Sequence, residues 1–289
     1  MIILFCMEHL GEAQFRDLPG VKKMTAEFAA CDWDWGYRQL KPQTYETEWE
    51  KADDPLQMIV TDSPLLAQQA KAVGICCVGY QEENDTGFFP AVEYVVNSFE
   101  GVDATFFANA LRRFHGLTAV IAQTKRLIVR ESCESDFPAF YRISRENAGQ
   151  CCGEIMSENY EEEKEKFLAY IGYAYNYFGY GLWTVLERET GVIVGRCGLN
   201  PVADHFSPQG RMELGYLIAK DYRRRGYAEE ACRNIIEYGF EVLDCPVLYA
   251  MIHRENYPSQ ALAAKLGFQK ENGEAAASEL ELWRKNRTA

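Results

Sequence analysis

The sequence predicts two α/β domains, of which the second is rich in β-strands. The chain has 289 residues, a length that favours two domains over one. Apolar residues make up 47% and charged residues 25% of the chain, which is typical of a globular protein with a sizeable core. Short segments of alternating apolar residues interleave with segments of helical periodicity, as expected of α/β folds.

Composition excludes several classes of function. The formal net charge of -13 argues against general nucleic-acid binding, which relies on lysine and arginine to neutralise phosphates. No run approaches the roughly 18 apolar residues of a membrane span, and the apolar N-terminus lacks the basic segment of a signal peptide. The 10 cysteines and 4 histidines show no zinc-ligand spacing. We therefore predict a reduced, cytoplasmic protein with no metal, nucleic acid or membrane partner.

Charge and pattern place the domain boundary near residues 117–124. Acidic residues outnumber basic residues more strongly before Thr124 than after it. An apolar-alternating strand begins directly afterwards, at 126–130. The expected domains are therefore 1–120 and 124–289.

The first domain contains a strand, turn, helix, strand pattern. The letters "MIV" at 58–60 predict a strand, and Asp-Ser-Pro at 62–64 starts a helix that ends near Gly74. The run "ICCVGY" at 75–80 predicts the next strand. Before these elements, "KKMTAEFAA" at 22–30 predicts a helix.

The second domain alternates strands with helices. Hairpin chemistry is provided by Glu-Thr-Gly at 189–191, and Gly267 stands where a helix favours a C-terminal glycine. The patterns predict, in order, a strand at 126–130, a helix after Asp136, a helix at 158–180, hairpin strands at 182–188 and 192–199, a strand at 211–219, a helix from Gly226, a strand at 247–252, a helix at 257–266 and a strand near 279–283.

Three consecutive arginines, Arg223–Arg225, lie where the strand at 211–219 passes into the helix from Gly226. A helix N-terminus offers free backbone N–H donors and the positive end of the helix dipole, and both suit a pyrophosphate. Small residues at Gly226 and Ala228 would let the backbone approach phosphate oxygens. The alternative is a solvated basic cap with no ligand.

Residues 223–228 read Arg-x-x-Gly-x-Ala, which resembles the acetyl-CoA signature of the GNAT acetyltransferase superfamily. The segments "RLIVRESCESDFPAFYRI", "ELGYLIAKDYRRRGYAEEA" and "NYPSQALAAKLGF" resemble, in the same order, elements of its ribosomal-protein-alanine acetyltransferase branch. The resemblance covers about 124–285. It implies the GNAT fold, an α+β arrangement with a mixed central sheet, acetyl-CoA as cosubstrate, and N-acetyl transfer to a primary amine.

The resemblance also implies a cofactor site. Backbone groups at the end of the fourth strand would contact the pantetheine arm, the arginine loop would hold the pyrophosphate, and two residues of the next helix would touch the cofactor. An N-cap role for Asn256 and a helix-turn role for Ser259 remain open alternatives. The implied cofactor-binding residues are Ile218, Ala219, Arg223, Arg224, Arg225, Gly226, Tyr227, Ala228, Asn256 and Ser259.

Acetyl transfer to an amine requires a base, because an alkylamine has a pKa near ~10. Strand alternation puts Glu213 on the polar face of the strand at 211–219, and similar family members carry an acid there. We therefore predict Glu213 as the catalytic base, acting through water. The alternative is that Glu213 pairs with Arg196 or Arg211. A backbone N–H near Ile218 is the candidate for stabilising the oxyanion.

The general acid is not assigned. Many family members have a tyrosine where this chain has Ala263, and alanine cannot protonate a thiolate. The conceivable donors in this chain are Tyr216, Tyr257, Ser259 and Cys197. This departure motivates a second hypothesis, a non-catalytic CoA-binding regulatory protein.

The acceptor is not identified by sequence. Tyr170, Tyr173 and Tyr177 share a helical face, a pattern that more often belongs to a core than to a cleft. The acidic run at 158–165 would attract a cationic acceptor, although such a run is usually only a solvated face. We expect a small-molecule amine or a protein N-terminus, and a homodimer stays open.

Residues 43–116 resemble the late βαβ segment of haloacid dehalogenase-like hydrolases, which implies a Rossmann-like α/β domain. Those enzymes need a nucleophilic aspartate in a DxD motif at the end of an N-terminal strand. Asp32 and Asp34 have this spacing but follow a predicted helix, so we expect the strand to be missing. The domain is therefore predicted to be degenerate and non-catalytic, with a magnesium-dependent phosphatase centred on Asp62 as the alternative.

Overall fold

The computed structural model describes residues 1–39, 57–82, 89, 92–147, 156–201, 212–271 and 279–287. The chain divides into two compact units, residues 1–119 and 120–289, and each unit has its own sheet.

The N-terminal unit is built on a five-stranded parallel sheet of order β2-β1-β3-β4-β5. Among the described residues, helices connect β1 to β2 and β3 to β4, as parallel pairing favours. Its elements are β1 (Ile2–Met7), α1 (Glu12–Asp17), α2 (Val21–Ala30), β2 (Asp34–Gln39), β3 (Gln57–Thr61), α3 (Pro64–Ala72), β4 (Cys76–Tyr80), β5 (Tyr94–Val96) and α4 (Ala104–Phe114).

Strand β1 is an apolar strand that the sequence patterns did not predict. It lies between β2 and β3, and its Ile3, Phe5 and Met7 are fully buried. The expectation that a helix, and not a strand, precedes Asp32 and Asp34 is confirmed, because α2 ends at Ala30. A strand that is covered on both faces is a continuous apolar run rather than an alternating one, and the opening residues fit this pattern. Asp34 instead begins the edge strand β2.

Local chemistry sets the helix boundaries in this unit. Ser63 caps α3 by accepting a hydrogen bond from the Leu66 N–H, with Pro64 in the first turn. Gly74, after the helix, has a φ of 76°, a left-handed conformation that glycine tolerates. The side chain of Asp103 caps α4 in the same way as Ser63 caps α3.

The C-terminal unit has an eight-stranded mixed sheet of order β12-β13-β11-β10-β9-β8-β7-β6. Its strand pairs among the described residues are antiparallel except for β10 with β11, which are parallel. Its elements are β6 (Val120–Gln123), β7 (Leu127–Arg130), α5 (Phe137–Glu146), α6 (Tyr160–Tyr173), β8 (Leu182–Glu187), β9 (Ile193–Pro201), β10 (Met212–Ile218), α7 (Tyr227–Glu241), β11 (Val247–His253), α8 (Tyr257–Lys265), β12 (Gln269–Lys270) and β13 (Leu280–Asn286).

The two faces of this sheet are covered by different helices. Helix α7 packs on the face that carries Leu199, and a Cβ at Gly239 would lie only 2.9 Å from the Leu199 side chain. Helices α5 and α6 cover the opposite face, where Arg196 lies over the Phe140 ring and Tyr170 bonds to Asn200. Residues on one strand therefore reach either a core face or a second, more polar face.

Strands β10 and β11 separate soon after they meet. Among the described residues their pairing covers Met212 with Leu248 and Glu213 with Tyr249. Strand β10 nevertheless continues to Ile218 and keeps its antiparallel pairing with β9 over its whole length. The separation opens a gap in the sheet beside the second half of β10.

Candidate active site

The gap between β10 and β11 exposes one edge of β10. The Ala219 N–H donates to the Val194 carbonyl at 2.9 Å, so Ala219 directs its backbone toward β9. Backbone groups of alternate residues in an antiparallel strand point to opposite sides. The Ile218 N–H therefore points away from β9, into the gap, as expected for the oxyanion donor.

Glu213 lies at the narrow end of this gap. Its Oε1 accepts a hydrogen bond from the Met251 N–H at 3.3 Å, across the point where the two strands part. Burial raises the pKa of Glu213, and the Met251 hydrogen bond only partly opposes this. In the described part of the chain Glu213 makes no ion pair with Arg196, and Arg211 lies outside the described residues. A carboxylate with a raised pKa is suited to accept a proton near neutral pH.

The arginine loop joins β10 to α7 through two left-handed residues. Arg224 has a φ of 60° and Gly226 a φ of 79°. Gly226 is the N-cap position of α7 and, being glycine, brings no side chain over the first helical amides. A Cβ at Gly226 would also lie 3.3 Å from an Arg126 guanidinium nitrogen. The start of the 15-residue helix α7 is thus open to an anion.

The arginines of the loop differ in their surroundings. The Arg223 Nε donates to the Ile218 carbonyl at 3.0 Å, so this side chain folds back on the end of β10. Arg224 and Arg225 are exposed, and the Arg225 guanidinium lies 5.1 Å from the Tyr222 ring centroid. Arg224 and Arg225 are therefore the residues of this run that present charge to solvent beside the helix start.

Arg126 stabilises the arginine loop through contacts that the sequence did not indicate. One guanidinium nitrogen donates to the Arg225 carbonyl at 2.8 Å, and the Nε donates to Glu230 at 2.7 Å. The guanidinium also lies 4.7 Å from the Tyr227 ring centroid. Tyr227 is buried and its hydroxyl donates to Glu187, so its side chain holds the loop in place. Its contribution to an anion site would come from its backbone N–H.

Both backbone groups of Ala219 already form hydrogen bonds within the fold. Its N–H donates to Val194 and its carbonyl accepts from the Tyr222 N–H, each at 2.9 Å. Of the two residues expected to contact a pantetheine arm, Ile218 therefore offers the N–H that faces the gap. Ala228 is half-buried in the first turn of α7 and packs against the core cluster that contains Tyr227.

Helix α8 places a hydroxyl pair beside β10. The Asn256 side chain accepts from the Ser259 N–H at 3.2 Å and is the N-cap of α8. The Tyr216 hydroxyl donates to Ser259 Oγ at 2.9 Å. This pair lies one helical turn before Ala263, which is buried.

The other candidate proton donors lie in unsuitable surroundings. Tyr257 is 71% exposed. Cys197 is fully buried, with its sulfur 3.7 Å from the Cys232 sulfur, on the face that α7 covers. Tyr216 and Ser259 therefore remain the candidates for a proton donor.

The tyrosines of α6 do not form one continuous stripe. The Tyr170 hydroxyl donates to Asn200 Oδ1 and accepts from the Leu182 N–H, both at 2.7 Å. Tyr173 is 60% exposed, and the side chain of Tyr177 lies outside the described residues. Tyr170 therefore connects α6 to the polar face of the sheet.

Arg130, Asp136 and Thr184 form a buried cluster on the same face. Asp136 accepts from two Arg130 nitrogens at 2.7 and 2.8 Å and from Thr184 Oγ1 at 2.7 Å. Burial acts to raise the pKa of Asp136, but the hydrogen bonds from Arg130, Thr184 and the Cys133 N–H lower it below its ordinary value. The cluster fixes the start of α5 against β7 and β8.

The carboxyl edge of the N-terminal sheet holds Asp62. Its carboxylate accepts backbone hydrogen bonds from Glu8 at 2.6 Å, His9 at 2.9 Å and Leu10 at 3.1 Å. Both oxygens are therefore occupied by the chain itself. Across the described ranges, no cluster of three or more His, Cys, Asp or Glu residues has the arrangement of a metal site.

None of the described helices is both long and apolar enough to cross a bilayer.

The C-terminal part of the chain matches a family of known proteins. A family model described as an acetyltransferase (GNAT) domain matches residues 126–269. The uncharacterized N-acetyltransferase YoaA of Bacillus subtilis (strain 168) is 28% identical over 152 residues, which cover 52% of this chain and 84% of that protein. The uncharacterized N-acetyltransferase p20 of Bacillus licheniformis is 35% identical over 89 residues, which cover 31% of this chain and 48% of that protein. The chain thus spans about half the length of p20.

A solved structure has the same fold. The apo crystal form of RimL, a ribosomal L7/L12 α-N-protein acetyltransferase, aligns with a TM-score of 0.50 and 14% identity. The alignment covers 59% of this chain and 96% of that one. At this identity the likeness concerns the fold alone.

Proposed function

Residues 126–269 form a GNAT acetyltransferase domain, and from this premise we propose that the protein is an acetyl-CoA-dependent N-acetyltransferase acting on a primary amine. The observation that carries the proposal is the gap beside β10, with Glu213 at one end and the open start of α7 at the other. A buried base and an anion site at opposite ends of one groove are what this reaction needs. The acceptor is the amine of a small molecule or of a protein N-terminus.

The described residues fit acetyl-CoA. The pyrophosphate would lie at the first amides of α7, beside the exposed guanidinium groups of Arg224 and Arg225. The pantetheine arm would follow the edge of β10 toward Glu213, past the Ile218 N–H. When bound, acetyl-CoA supplies an activated acyl group. Glu213, Ile218 and α7 then provide the base, a hydrogen-bond donor and the anchor.

Glu213 removes a proton from the acceptor amine, directly or through one water. Its raised pKa makes the carboxylate a better proton acceptor than an exposed glutamate. The Ile218 N–H donates to the oxygen on which negative charge develops, an interaction typically worth about 3 kcal/mol.

A proton must also return to the departing thiolate. The Tyr216 hydroxyl and Ser259 Oγ form a hydrogen-bonded pair next to the position of Ala263. We assign this pair as the proton source, with Ser259 bonded to the phenol that delivers the proton.

A non-catalytic CoA-binding regulatory protein is the second candidate. It is favoured by Ala263, which is buried and carries no ionisable group. Turnover distinguishes the two, since a sensor binds acetyl-CoA and leaves the thioester intact.

The deciding experiment incubates the purified chain with acetyl-CoA and a pool of polyamines, amino acids, aminoglycosides and N-terminal peptides. Mass spectrometry is the readout, because the 10 cysteines would interfere with a thiol assay. We expect one class of component to gain an acetyl group, and Glu213→Gln to lose this activity while binding acetyl-CoA. Glu237→Gln, an exposed glutamate of α7, is the matched control. Tight acetyl-CoA binding without any acetylated component would favour the regulatory protein.

For the N-terminal unit we propose a degenerate haloacid dehalogenase-like domain without hydrolase activity. The resemblance requires an aspartate nucleophile where β1 ends, and the residues there are Cys6, Met7 and Glu8. Asp62, an aspartate that the described residues place at this edge, accepts hydrogen bonds from backbone amides. Magnesium-dependent phosphate release from a phosphomonoester, abolished by Asp62→Asn, would contradict this proposal.

A further inference from the structure

Arg196 is a cation without a counter-charge in the described part of the chain. It lies on β9, directly opposite Thr184 of β8 and Leu217 of β10. Its Nε is buried without a hydrogen-bond partner, and burial lowers the pKa of the guanidinium. Arg196 takes part in none of the ion pairs formed by the described residues.

Aromatic rings fix the direction of this guanidinium. Its central carbon lies 5.4 Å from the Phe140 ring centroid on α5 and 5.8 Å from the Tyr170 ring centroid on α6. Cation–π contacts of this kind orient a guanidinium but satisfy none of its N–H donors. The guanidinium thus lies between the sheet and the helices α5 and α6.

The nearby carboxylate is not available to Arg196. Asp136, which Thr184 links to this face, is already bonded to two nitrogens of Arg130. Two arginines therefore project from this face, and only Arg130 has an acidic partner among the described residues.

A partly buried guanidinium without partners is costly, because desolvated charges are normally paired or hydrogen-bonded. Proteins keep such groups where a ligand supplies the missing partner. A planar guanidinium with parallel donors matches the two oxygens of a carboxylate in a bidentate pair.

Arg196 lies on the same face of the sheet as Glu213, because Arg196 and Asn200, which pairs with Glu213, point to the same side of β9. Its strand partner Leu217 is adjacent to Ile218, whose N–H faces the gap. Asn200, opposite Glu213, is linked to the same aromatic wall through the Tyr170 hydroxyl. A ligand whose amine is near Glu213 and Ile218 would extend its other end over this face, toward Arg196.

We propose that Arg196 binds a carboxylate of the acceptor, so that the substrate is an amine that also carries a carboxylate, as in an amino acid or a peptide with a free C-terminus. This inference rests on the proposed acetyltransferase function and specifies the acceptor class for that site. Arg196 is a specificity residue, since it contacts the acceptor away from the transferred group.

The test compares acceptors that differ only in the carboxylate. The twenty L-amino acids and a set of dipeptides, each as the free acid and as the carboxamide, are incubated with acetyl-CoA and analysed by mass spectrometry. We expect the free acids to be acetylated at least tenfold faster than their carboxamides. Arg196→Met should remove this preference mainly through KM, and Arg196→Lys should restore part of it. Acetyl-CoA affinity should not change in either variant.

Two outcomes overturn the inference and leave the proposed function intact. One is carboxamides or simple amines that are acetylated as fast as the acids, and the other is an acid preference that survives in Arg196→Met. Failure of the proposed function looks different, because then no acceptor is acetylated with or without Arg196.

A binding measurement decides the inference even without turnover. Thermal unfolding of the full chain is followed with N-acetylglycine and with its neutral amide as probes. We expect the acid alone to raise Tm, and only in the wild type. Equal effects of acid and amide, no effect of either, or an undiminished effect in Arg196→Met would refute carboxylate binding.

The stability of the unliganded variants is a further control. Arg196→Met removes a charge that has no ion-pair partner among the described residues, and it should leave Tm unchanged or raised. Arg130→Met leaves the buried Asp136 carboxylate without its cationic partner and should lower Tm. A large loss of Tm in Arg196→Met would show that Arg196 is a structural residue and would refute the proposal.

Discussion

At the scale of single residues, burial decides what each ionisable group can do. Burial raises the pKa of Glu213, whereas Asp136 has its pKa lowered because hydrogen bonds from Arg130 and Thr184 outweigh burial. Both residues are acids on the polar face of one sheet. Glu213 has no ion pair among the described residues and is suited to accept protons, whereas Asp136 is paired with Arg130 and is suited to hold structure.

Glu213→Gln separates activity from stability. A group with a raised pKa contributes stability that is complete below its ordinary pKa of 4.5 and is lost as pH rises through the folded value. At neutral pH the charged Glu213 is therefore unfavourable, and glutamine should leave Tm equal or higher. We expect kcat/KM to fall roughly 10²- to 10⁴-fold. A lower Tm with unchanged kcat/KM would mean that Glu213 is structural.

Asp136→Asn should have the opposite effect on stability. It leaves Arg130 without its carboxylate partner, and such a loss costs about 3 kcal/mol. The Asp136 contribution is present above its ordinary pKa of 3.8 and is lost as pH falls through the lowered folded value. Denaturant unfolding should therefore show a large difference from the wild type at pH 7 that narrows toward pH 3. A difference independent of pH would argue against this assignment.

The residue scale is also where sequence reasoning was weakest. The polar position of Glu213 followed from strand alternation, because that depends only on near neighbours. The commitment of Ala219 to Val194 and Tyr222, and the bracing of Arg225 by Arg126, depend on contacts between distant segments. No local pattern contains these pairings, so the sequence could not indicate them.

At the scale of elements, the loop between β10 and α7 combines strained backbone with local charge. Arg224 and Gly226 have positive φ, and the Arg126 guanidinium donates a hydrogen bond to the Arg225 carbonyl. Arg223 bonds to the end of β10, so the arginines of this run have different tasks. Periodicity and helix-start chemistry predicted this loop well, because its signal is contained in a short continuous segment.

Arg225→Glu should weaken acetyl-CoA binding. The variant reverses an exposed charge beside the helix start, where an anion would gain from both the amides and the dipole. We expect Kd, measured by isothermal titration, to rise at least tenfold with Tm nearly unchanged. Lys71→Glu, an equal charge reversal in the other unit, is the control. Equal affinity in wild type and Arg225→Glu would argue against a pyrophosphate at this loop.

Strand β1 is a buried inner strand of the first unit, and the sequence patterns did not predict it. Its residues are uniformly apolar, and a uniform run of six residues does not distinguish a buried strand from other apolar segments. The parallel pairing with β2 and β3 supplies the missing information. The C-terminal strands alternate in polarity and were therefore easier to predict.

At the scale of the whole molecule, the chain consists of two units with separate cores. One core is formed by residues from β1, β3, β4, α2 and α4, and the other by residues from β7 to β11 with α7 and α8. A separate core and a separate sheet are the usual conditions for independent folding.

Residues 120–289 should therefore fold and bind acetyl-CoA when produced alone. The reason is that the gap, the arginine loop and the core that supports them all belong to this unit. A single cooperative thermal transition, and a Kd for acetyl-CoA within about threefold of the full chain, are expected. An unfolded product would show that residues 1–119 are required for the fold of the second unit.

The parting of β10 from β11 also bears on how the backbone meets solvent. Along β10, neighbouring amides face in opposite directions, so a bonded amide such as that of Ala219 alternates with one that points into the gap. Hydrogen–deuterium exchange should follow this alternation, with Ala219 slow and Ile218 fast in the free protein. A ligand lying along the gap would act as a temporary neighbouring strand. Its hydrogen bond to the Ile218 amide would slow hydrogen–deuterium exchange at that residue.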